Sequence, residues 1–403
     1  MKVGKFAALV SASLVAAMLI PSTTASANHN ANLDIQAGEY LFETKVASGE
    51  SMRFFPADLT VHKGDTLTFR GDFHTALFLP TSATDADAWI AENATAPDDP
   101  YSFIKGNPDN QTYPLKLWGD NPFTPAPCGS EDAPCAYGGD EVIDSGLLFN
   151  YYDFSGGPDV PPVNNGFTVT VDANPGDVFW VICGVHPKMR MRVVVVGPNE
   201  DSTTQESIDT YTTTTVNEDR RAATELHESM SSSHPSQMVD GKKVWTAFAG
   251  YDAEDFSLFG MYPKKINVKR GQSVEWRFAS LNFEVHTATL ANKKARRLGH
   301  RGQPILCDPN GDGESGGETM PPPEAFPPQC SEGAAEQVLA AQMLSVVGDG
   351  TFKNVKDLEN SGVRGAMTPT RDPYVLKIGA RSGSTYTYLC AIHPFMIGKI
   401  RVK

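Results

Sequence analysis

The 403-residue chain is short of positive charge: 34 Lys and Arg stand against 48 Asp and Glu, a formal net charge of −14. That balance excludes general nucleic-acid binding, which works by neutralising phosphates. Charge of either sign is sparse at 20% of residues while 40% are hydrophobic, which excludes a disordered chain. Cysteine is sparse as well, and six in a chain of this length exclude a small disulfide-stapled fold. Long apolar runs are missing: the stretch from Phe6 to Ile20 has 15 residues, short of the ~20 that a spanning helix needs, and no later segment does better. Glycine and proline, at 35 and 29 residues, are plentiful and point to short strands joined by turns.

Lys2 and Lys5 precede the apolar stretch, Pro21 follows it, and Ala25-Ser26-Ala27 offers a small-residue cleavage site. Residues 1–27 therefore read as a secretory signal peptide cleaved near Ala27. The mature chain is expected to have no transmembrane segment and to be secreted or periplasmic, where disulfides persist.

Residues 28–197 form an acidic first unit and 242–403 a mildly basic second one. Between them, 198–241 is dense in Ser, Thr, Asp and Glu, with Thr212 to Thr215 a pure Thr run. It reads as a linker unable to bury a core, with a short helix from about Asp219 to Met230 on the spacing of Leu226 and Met230. The two units repeat each other at an offset of 207 residues. Pro56 and Pro263, Val61 and Val268, Gly64 and Gly271, and Phe69 and Trp276 correspond. Near the ends of the units so do Gly176 and Gly383, and Val195 and Val402. Apolar residues alternate with polar ones around each Gly turn, the pattern of antiparallel strands with one buried face. The reading is all-β, two β-sandwich domains in tandem.

The chemistry sits at the end of each repeat. Cys183-Gly184-Val185-His186-Pro187-Lys188-Met189 and Cys390-Ala391-Ile392-His393-Pro394-Phe395-Met396 are both Cys-x-x-His-Pro-x-Met. A further His stands upstream at a strand end in each unit, His74 before Thr75-Ala76 and His286 before Thr287-Ala288. A thiolate, two imidazoles and a thioether make a soft trigonal set with a weak axial donor, which suits an electron-transfer copper ion. Zinc is the competing metal, but it prefers more thiolate or imidazole ligands and rarely takes a thioether.

These residues resemble the cupredoxin, or type 1 blue copper, family. Amicyanin and plastocyanin are the nearest in loop length, with two residues between Cys and His and two between His and Met. The resemblance implies a Greek-key β-sandwich with copper held by His74, Cys183, His186 and Met189 in the first unit and by His286, Cys390, His393 and Met396 in the second. It also implies reversible one-electron transfer through a Cu(II)/Cu(I) couple with redox protein partners. Two departures stand out. The upstream His and the Cys are 109 and 104 residues apart, so each unit carries a long loop-rich insertion, roughly 80–146 and 291–365. And Thr, not the Asn that braces the ligand loops in many relatives, follows the upstream His.

The four remaining cysteines fall as one pair per insertion, Cys128 with Cys135 and Cys307 with Cys330, and read as local disulfides of an exported chain. Asp308-Pro309-Asn310-Gly311-Asp312-Gly313-Glu314 has the alternating oxygen donors of a calcium loop, but Thr319 stands at its twelfth position and Glu318 one residue early, so an ordinary turn is the preferred reading over calcium.

Copper enzymes are the rival function. A laccase-like oxygen-reducing cluster needs His-x-His pairs, and none of the nine His is within two residues of another. A copper nitrite reductase has a His directly beside the ligand Cys, where this chain has Ile182 and Leu389. Copper storage or delivery calls for Met- or His-rich runs, which are absent. The sequence thus leads to an electron carrier rather than an enzyme, with His29, His62, His227, His234 and His300 as surface residues. Lys188, Arg190 and Arg192 beside the first donor set are the expected contacts for an acidic partner, and Phe395 beside the second for an apolar one. The basic run Lys293-Lys294-Ala295-Arg296-Arg297 reads as a solvated loop. Val185 and Ile392, where some relatives have Pro, are expected to offer a backbone N–H to the thiolate.

Overall fold

The structure is a computed structural model that describes residues 30–71, 74–93, 128–146, 148, 166–184, 186, 188–279, 285–290, 346–365, 373–393 and 395–403. The signal peptide, Cys307 and Cys330, the calcium-like loop with Glu318 and Thr319, the basic run at 293–297, Val185, His29 and His300 lie outside the described residues.

The first unit contributes β1 (Asn32–Glu43), β2 (Ala47–Phe55), β3 (Asp58–His62), β4 (Thr66–Gly71), β5 (Leu77–Phe78), β6 (Cys135–Tyr137), β7 (Ile143–Asp144), β8 (Phe167–Val171), β9 (Val178–Ile182) and β10 (Arg190–Val196). The second contributes β11 (Ser236–Val239), β12 (Lys242–Asp252), β13 (Phe256–Tyr262), β14 (Lys265–Val268), β15 (Ser273–Phe278), β16 (Val285–His286), β17 (Thr289–Leu290), β18 (Val346–Val347), β19 (Thr351–Phe352), β20 (Glu359–Ser361), β21 (Arg364–Gly365), β22 (Tyr374–Ile378), β23 (Thr385–Leu389) and β24 (Ile397–Val402). Helix α1 (Ala86–Asn93) lies in the first insertion, and α2 (Gln205–Ser232) joins the units.

Each unit is a Greek-key sandwich. In the first, β2-β1-β4-β8-β6 packs on β3-β10-β9-β5-β7; in the second, β13-β12-β15-β22-β19 packs on β14-β24-β23-β17-β20-β18. The alternation read from sequence is what closes them: in β22 Tyr374, Leu376 and Ile378 face inward and Val375 and Lys377 outward. Phe54, Phe69, Phe78, Tyr137 and Phe179 fill the first core, and Trp276, Tyr374 and Tyr388 the second. The ligand-bearing Cys183, Met189, Cys390 and Met396 belong to these same cores, so each site is set into the packed interior.

The two sandwiches share a sheet. Strand β2 pairs antiparallel with β13, making one 11-stranded sheet across both units. The register sets Glu50 opposite Ser257, its own counterpart at the 207-residue offset, so a pseudo-two-fold axis passes between them. Met52 crosses the junction to join the second core.

The segment expected to be a core-less linker holds a 28-residue helix instead of the short one at 219–230. Thr204 caps it, accepting from the Ser207 backbone N–H while Ser207 returns a bond to the Thr204 backbone. Ile208, Val216, Asp219, Ala223 and His227 recur along one buried face; Ile208 joins the first core, and Val216 and Ala223 lie over the junction against Leu41, Phe55, Phe256, Leu258 and Tyr262. The Thr run sits within this helix, where the hydroxyls of Thr210, Thr212 and Thr224 donate to carbonyls one turn back. Composition misleads here because the helix is held by few apolar contacts and by polar anchors at long sequence range. Asp219 accepts from Ser51 Oγ at 2.8 Å and from Arg53 Nε and Nη2 at 3.0 and 3.1 Å. Arg220 donates to the Leu41 carbonyl at 2.9 Å. His227, expected at the surface, is buried with Nδ1 2.9 Å from Tyr262 Oη.

Candidate metal centres

His74 bridges to Leu148 just before β5 and His286 ends β16, which pairs with β21, while the Cys follows the last residue of β9 or β23. Packing these against each other brings the predicted donors together. In the first unit His74 Nδ1 and His186 Nδ1 lie 3.7 and 3.8 Å from Cys183 Sγ and 3.0 Å from each other. In the second, His286 Nδ1 and His393 Nδ1 lie 4.0 and 3.8 Å from Cys390 Sγ and 3.2 Å apart. These are the two clusters of potential metal-binding side chains among the described residues. Donors about 2.0–2.3 Å from a common centre at trigonal angles stand about 3.5–3.7 Å apart, so a single copper-sized ion fits each set. Five of these six side chains are buried, and His393 is partly exposed.

The Met closes a tight loop. Cys183 N–H donates to the Met189 carbonyl at 2.9 Å and Met189 N–H to the His186 carbonyl at 2.8 Å. In the second unit the same bonds measure 3.1 and 2.9 Å. Both Met side chains are buried, in the same loop as the Cys and His.

The upstream imidazoles approach the backbone where a side chain would stop them. Cβ atoms built on Gly38 and Gly250 would come within 2.0 Å of His74 Nε2 and 2.2 Å of His286 Nε2, and both glycines have positive φ, 71° and 70°.

Thr takes over the bracing that Asn performs in relatives. Its hydroxyl oxygen accepts from the backbone N–H after the Cys: Gly184 to Thr75 Oγ1 and Ala391 to Thr287 Oγ1, each at 2.7 Å. The backbone N–H of the same Thr donates to sulfur, Thr75 to Cys183 and Thr287 to Cys390, each at 3.3 Å. In the second site His393 N–H adds a contact at 3.4 Å. Among the described residues Thr75, Thr287 and His393 donate to the sulfurs, and Ile392, expected to do so, does not. Two residues past each ligand His, Ala76 and Ala288 donate to Ser145 Oγ and Ser361 Oγ at 2.7 and 2.8 Å, tying the insertions to the sites.

Burial alone would push both thiols up, but the imidazoles of His186 and His74 hold Cys183 well below its ordinary value, and His286 with the N–H groups holds Cys390 down. Burial would likewise depress His74, yet the Cys183 thiolate and the Glu50 carboxylate, 3.0 Å from Nε2, raise it to about 9. In both sites the surroundings favour the thiolate, the form that binds metal.

Glu50 and Asp144 are site neighbours that the sequence did not single out, since neither lies near a ligand in the chain. Burial pushes the Asp144 carboxyl up to about 7; the Gly146 N–H opposes this and the Cys183 thiolate adds to it. An acid raised from its ordinary 3.8 favours the folded state below about pH 4 and loses that contribution as pH rises through 7. Asp144→Asn is therefore expected to stabilise the protein at pH 8 by about 1–3 kcal/mol and to be neutral at pH 4, as read by thermal melts at both.

Of the expected docking residues, Lys188 and Arg190 pair with Asp87 of α1 at 3.2 and 3.0 Å. Burial raises the Asp87 carboxyl slightly, and Arg190 and Lys188 together hold it below the usual range. Arg192 is exposed, as is Phe395, whose ring centroid is 6.2 Å from that of His393. Cys128 and Cys135 form the disulfide expected of them.

Two sandwiches, each with a buried His-Cys-His set and a Met in the same loop, define a tandem cupredoxin-like fold with two candidate metal sites. No protein-family model matches the chain, and no curated protein matches it. Among solved structures it is similar to plastocyanin from Dryopteris crassirhizoma, at 18% identity over 39% of this chain and 99% of that one, TM-score 0.18. It is also similar to a Cu-containing nitrite reductase from Thermus scotoductus SA-01, at 10% identity over 92% of this chain and 98% of that one, TM-score 0.22. The blue copper oxidase from Nitrosomonas europaea aligns at 10% identity over 92% of this chain and 85% of that one, TM-score 0.18. The expectation of a carrier rather than an enzyme is corrected here: these last two, each aligned over 92% of this chain, bear the names of enzymes.

Proposed function

We propose that this chain is an exported copper redox protein in which each donor set holds one type 1 copper ion and passes single electrons. The observation that carries the reading is the convergence, twice, of two imidazole Nδ1 atoms on a buried thiolate with a Met in the same short loop. His74, Cys183, His186 and Met189 would hold one ion and His286, Cys390, His393 and Met396 the other. Bound copper would supply a Cu(II)/Cu(I) couple.

The chain's own residues supply the rest. Packed cores and the Thr75 and Thr287 braces keep the donors in place whichever oxidation state they hold, which keeps reorganisation small. N–H groups from Thr75, Thr287 and His393 take up charge on the sulfurs, and burial keeps water from the thiolates. Phe395, exposed beside the partly exposed His393, offers the second site an apolar contact surface. At the first site Arg192 and the Asp87-paired Lys188 and Arg190 offer a polar one. The Cys128–Cys135 disulfide and the leader at 1–27 support work outside the cytoplasm.

The test is a reductive titration of copper-loaded protein. Two electrons per chain, taken up and returned reversibly, are expected; uptake of none defeats the reading. Nitrite and dioxygen offered to the reduced protein then separate the two destinations for those electrons: continuous turnover makes the chain an oxidoreductase, and a single stoichiometric re-oxidation leaves the electrons to a protein partner.

A further inference from the structure

The donor sets repeat each other, but the charges placed against them do not. Glu50 and Ser257 are counterparts across the pseudo-two-fold axis. The Glu50 carboxylate, 12% exposed, lies 3.0 Å from His74 Nε2, on the far side of the ring from the thiolate. Ser257 is buried and donates to Asp252 Oδ1 at 2.8 Å, so the one carboxylate beside it meets a hydroxyl. Among the described residues, the contacts of His286 are Cys390, His393 and the ring of Phe259, with no carboxylate.

A second difference has the same sign. Ser145 and Ser361 occupy equivalent places, each accepting from the residue two past the ligand His. The residues before them are Asp144 in the first unit and Asn360 in the second. Asp144 Oδ1 accepts from Gly146 N–H at 3.0 Å, and its Oδ2 is buried with no hydrogen-bond partner among the described residues. The amide oxygen of Asn360 accepts from Thr289 Oγ1 at 2.7 Å. The first unit therefore has a carboxylate on His74 and a second carboxyl beside Ser145, where the second unit has a hydroxyl and an amide.

Negative charge beside a ligand favours the more positive, oxidised state of a bound ion. We infer that Glu50, acting through His74, and Asp144 make the first donor set the more reducing of the two, so that an electron shared between the sets rests at His286, Cys390 and His393. This rests on the copper reading above and adds a direction to it: electrons enter at the acidic first unit and leave from the second.

The test uses copper-loaded, full-length protein above the pH range in which Asp144 titrates. Potentials are assigned to the sites with Cys183→Ser and Cys390→Ser. The second site is expected to hold the electron at least tenfold in preference, which is about 59 mV for one electron. Glu50→Gln and Asp144→Asn are each expected to raise the potential of the first site and leave the second unmoved, and Asn360→Asp to lower the second alone. Because the sites share one chain, the unmoved site reports any general loosening of the fold. Should Glu50→Gln not fold, the Asp144 and Asn360 variants decide. Equal potentials, a first site higher than the second, or variants that move both sites together overturn the inference while two thiolate–copper bands preserve the copper reading. Absence of those bands overturns both.

Discussion

Cys183→Ser is expected to remove one copper per chain and about half of the intense visible thiolate-to-copper absorption, and Cys390→Ser the other half. A Ser hydroxyl is a poor ligand for a soft ion and cannot supply the charge-transfer band. Each Cys lies in a core of its own, so losing one set is expected to leave the other's spectrum unchanged, and the double variant is expected to be colourless. Copper counting and absorption on the three variants check this. A variant that loses all of its colour, or none, would show that the sites are not the independent pair described. The thiol is also a core side chain with 0% exposure, so loss of copper is expected to bring a drop in melting temperature with it.

The second large effect lies at the junction. Asp219→Ala is expected to destabilise the protein by about 2–3 kcal/mol, because it strips a buried carboxylate from Ser51 and from both nitrogens of Arg53. Arg53 keeps Asp255 at 2.7 Å, which limits the loss. Glu218→Ala, one residue away on the exposed face of α2, is the matched control and is expected to stay within about 0.5 kcal/mol. Urea unfolding of both variants checks the difference. If the helix were only a tether, the two would unfold alike. If it clamps the sandwiches together, Asp219→Ala is expected to split the transition, since the anchors are what join α2 to the first unit.

The ligands were legible because the chemistry is local. Cys183, His186 and Met189 sit within seven residues, so the spacing states the loop, and its repetition at Cys390, His393 and Met396 marks it as a device rather than chance. Both sandwiches were legible too, since alternation around Gly64, Gly176, Gly271 and Gly383 is a property of single strands. What escaped depends on pairings that no short window contains. The 28-residue helix was hidden by a Thr-rich composition and is held by Arg53 and Ser51, more than 160 residues away. Glu50 became a neighbour of His74 only when β2 took its place in the shared sheet. The brace at Thr75 and Thr287 stayed open in the sequence, which gives the residue type but not the reach of its hydroxyl to Gly184 and Ala391. The same local logic places an N–H partner of the second sulfur on Ile392, where the structure gives Thr287 and His393; Val185 lies outside the described residues.

One measurement tests the central claim most directly: the optical and EPR spectra of the oxidised, copper-loaded protein with copper counted per chain. The account expects two coppers, an intense visible thiolate band and the narrow hyperfine splitting of a trigonal thiolate site. A colourless protein that retains zinc, or copper showing only the wide splitting of an ordinary tetragonal site, would contradict it.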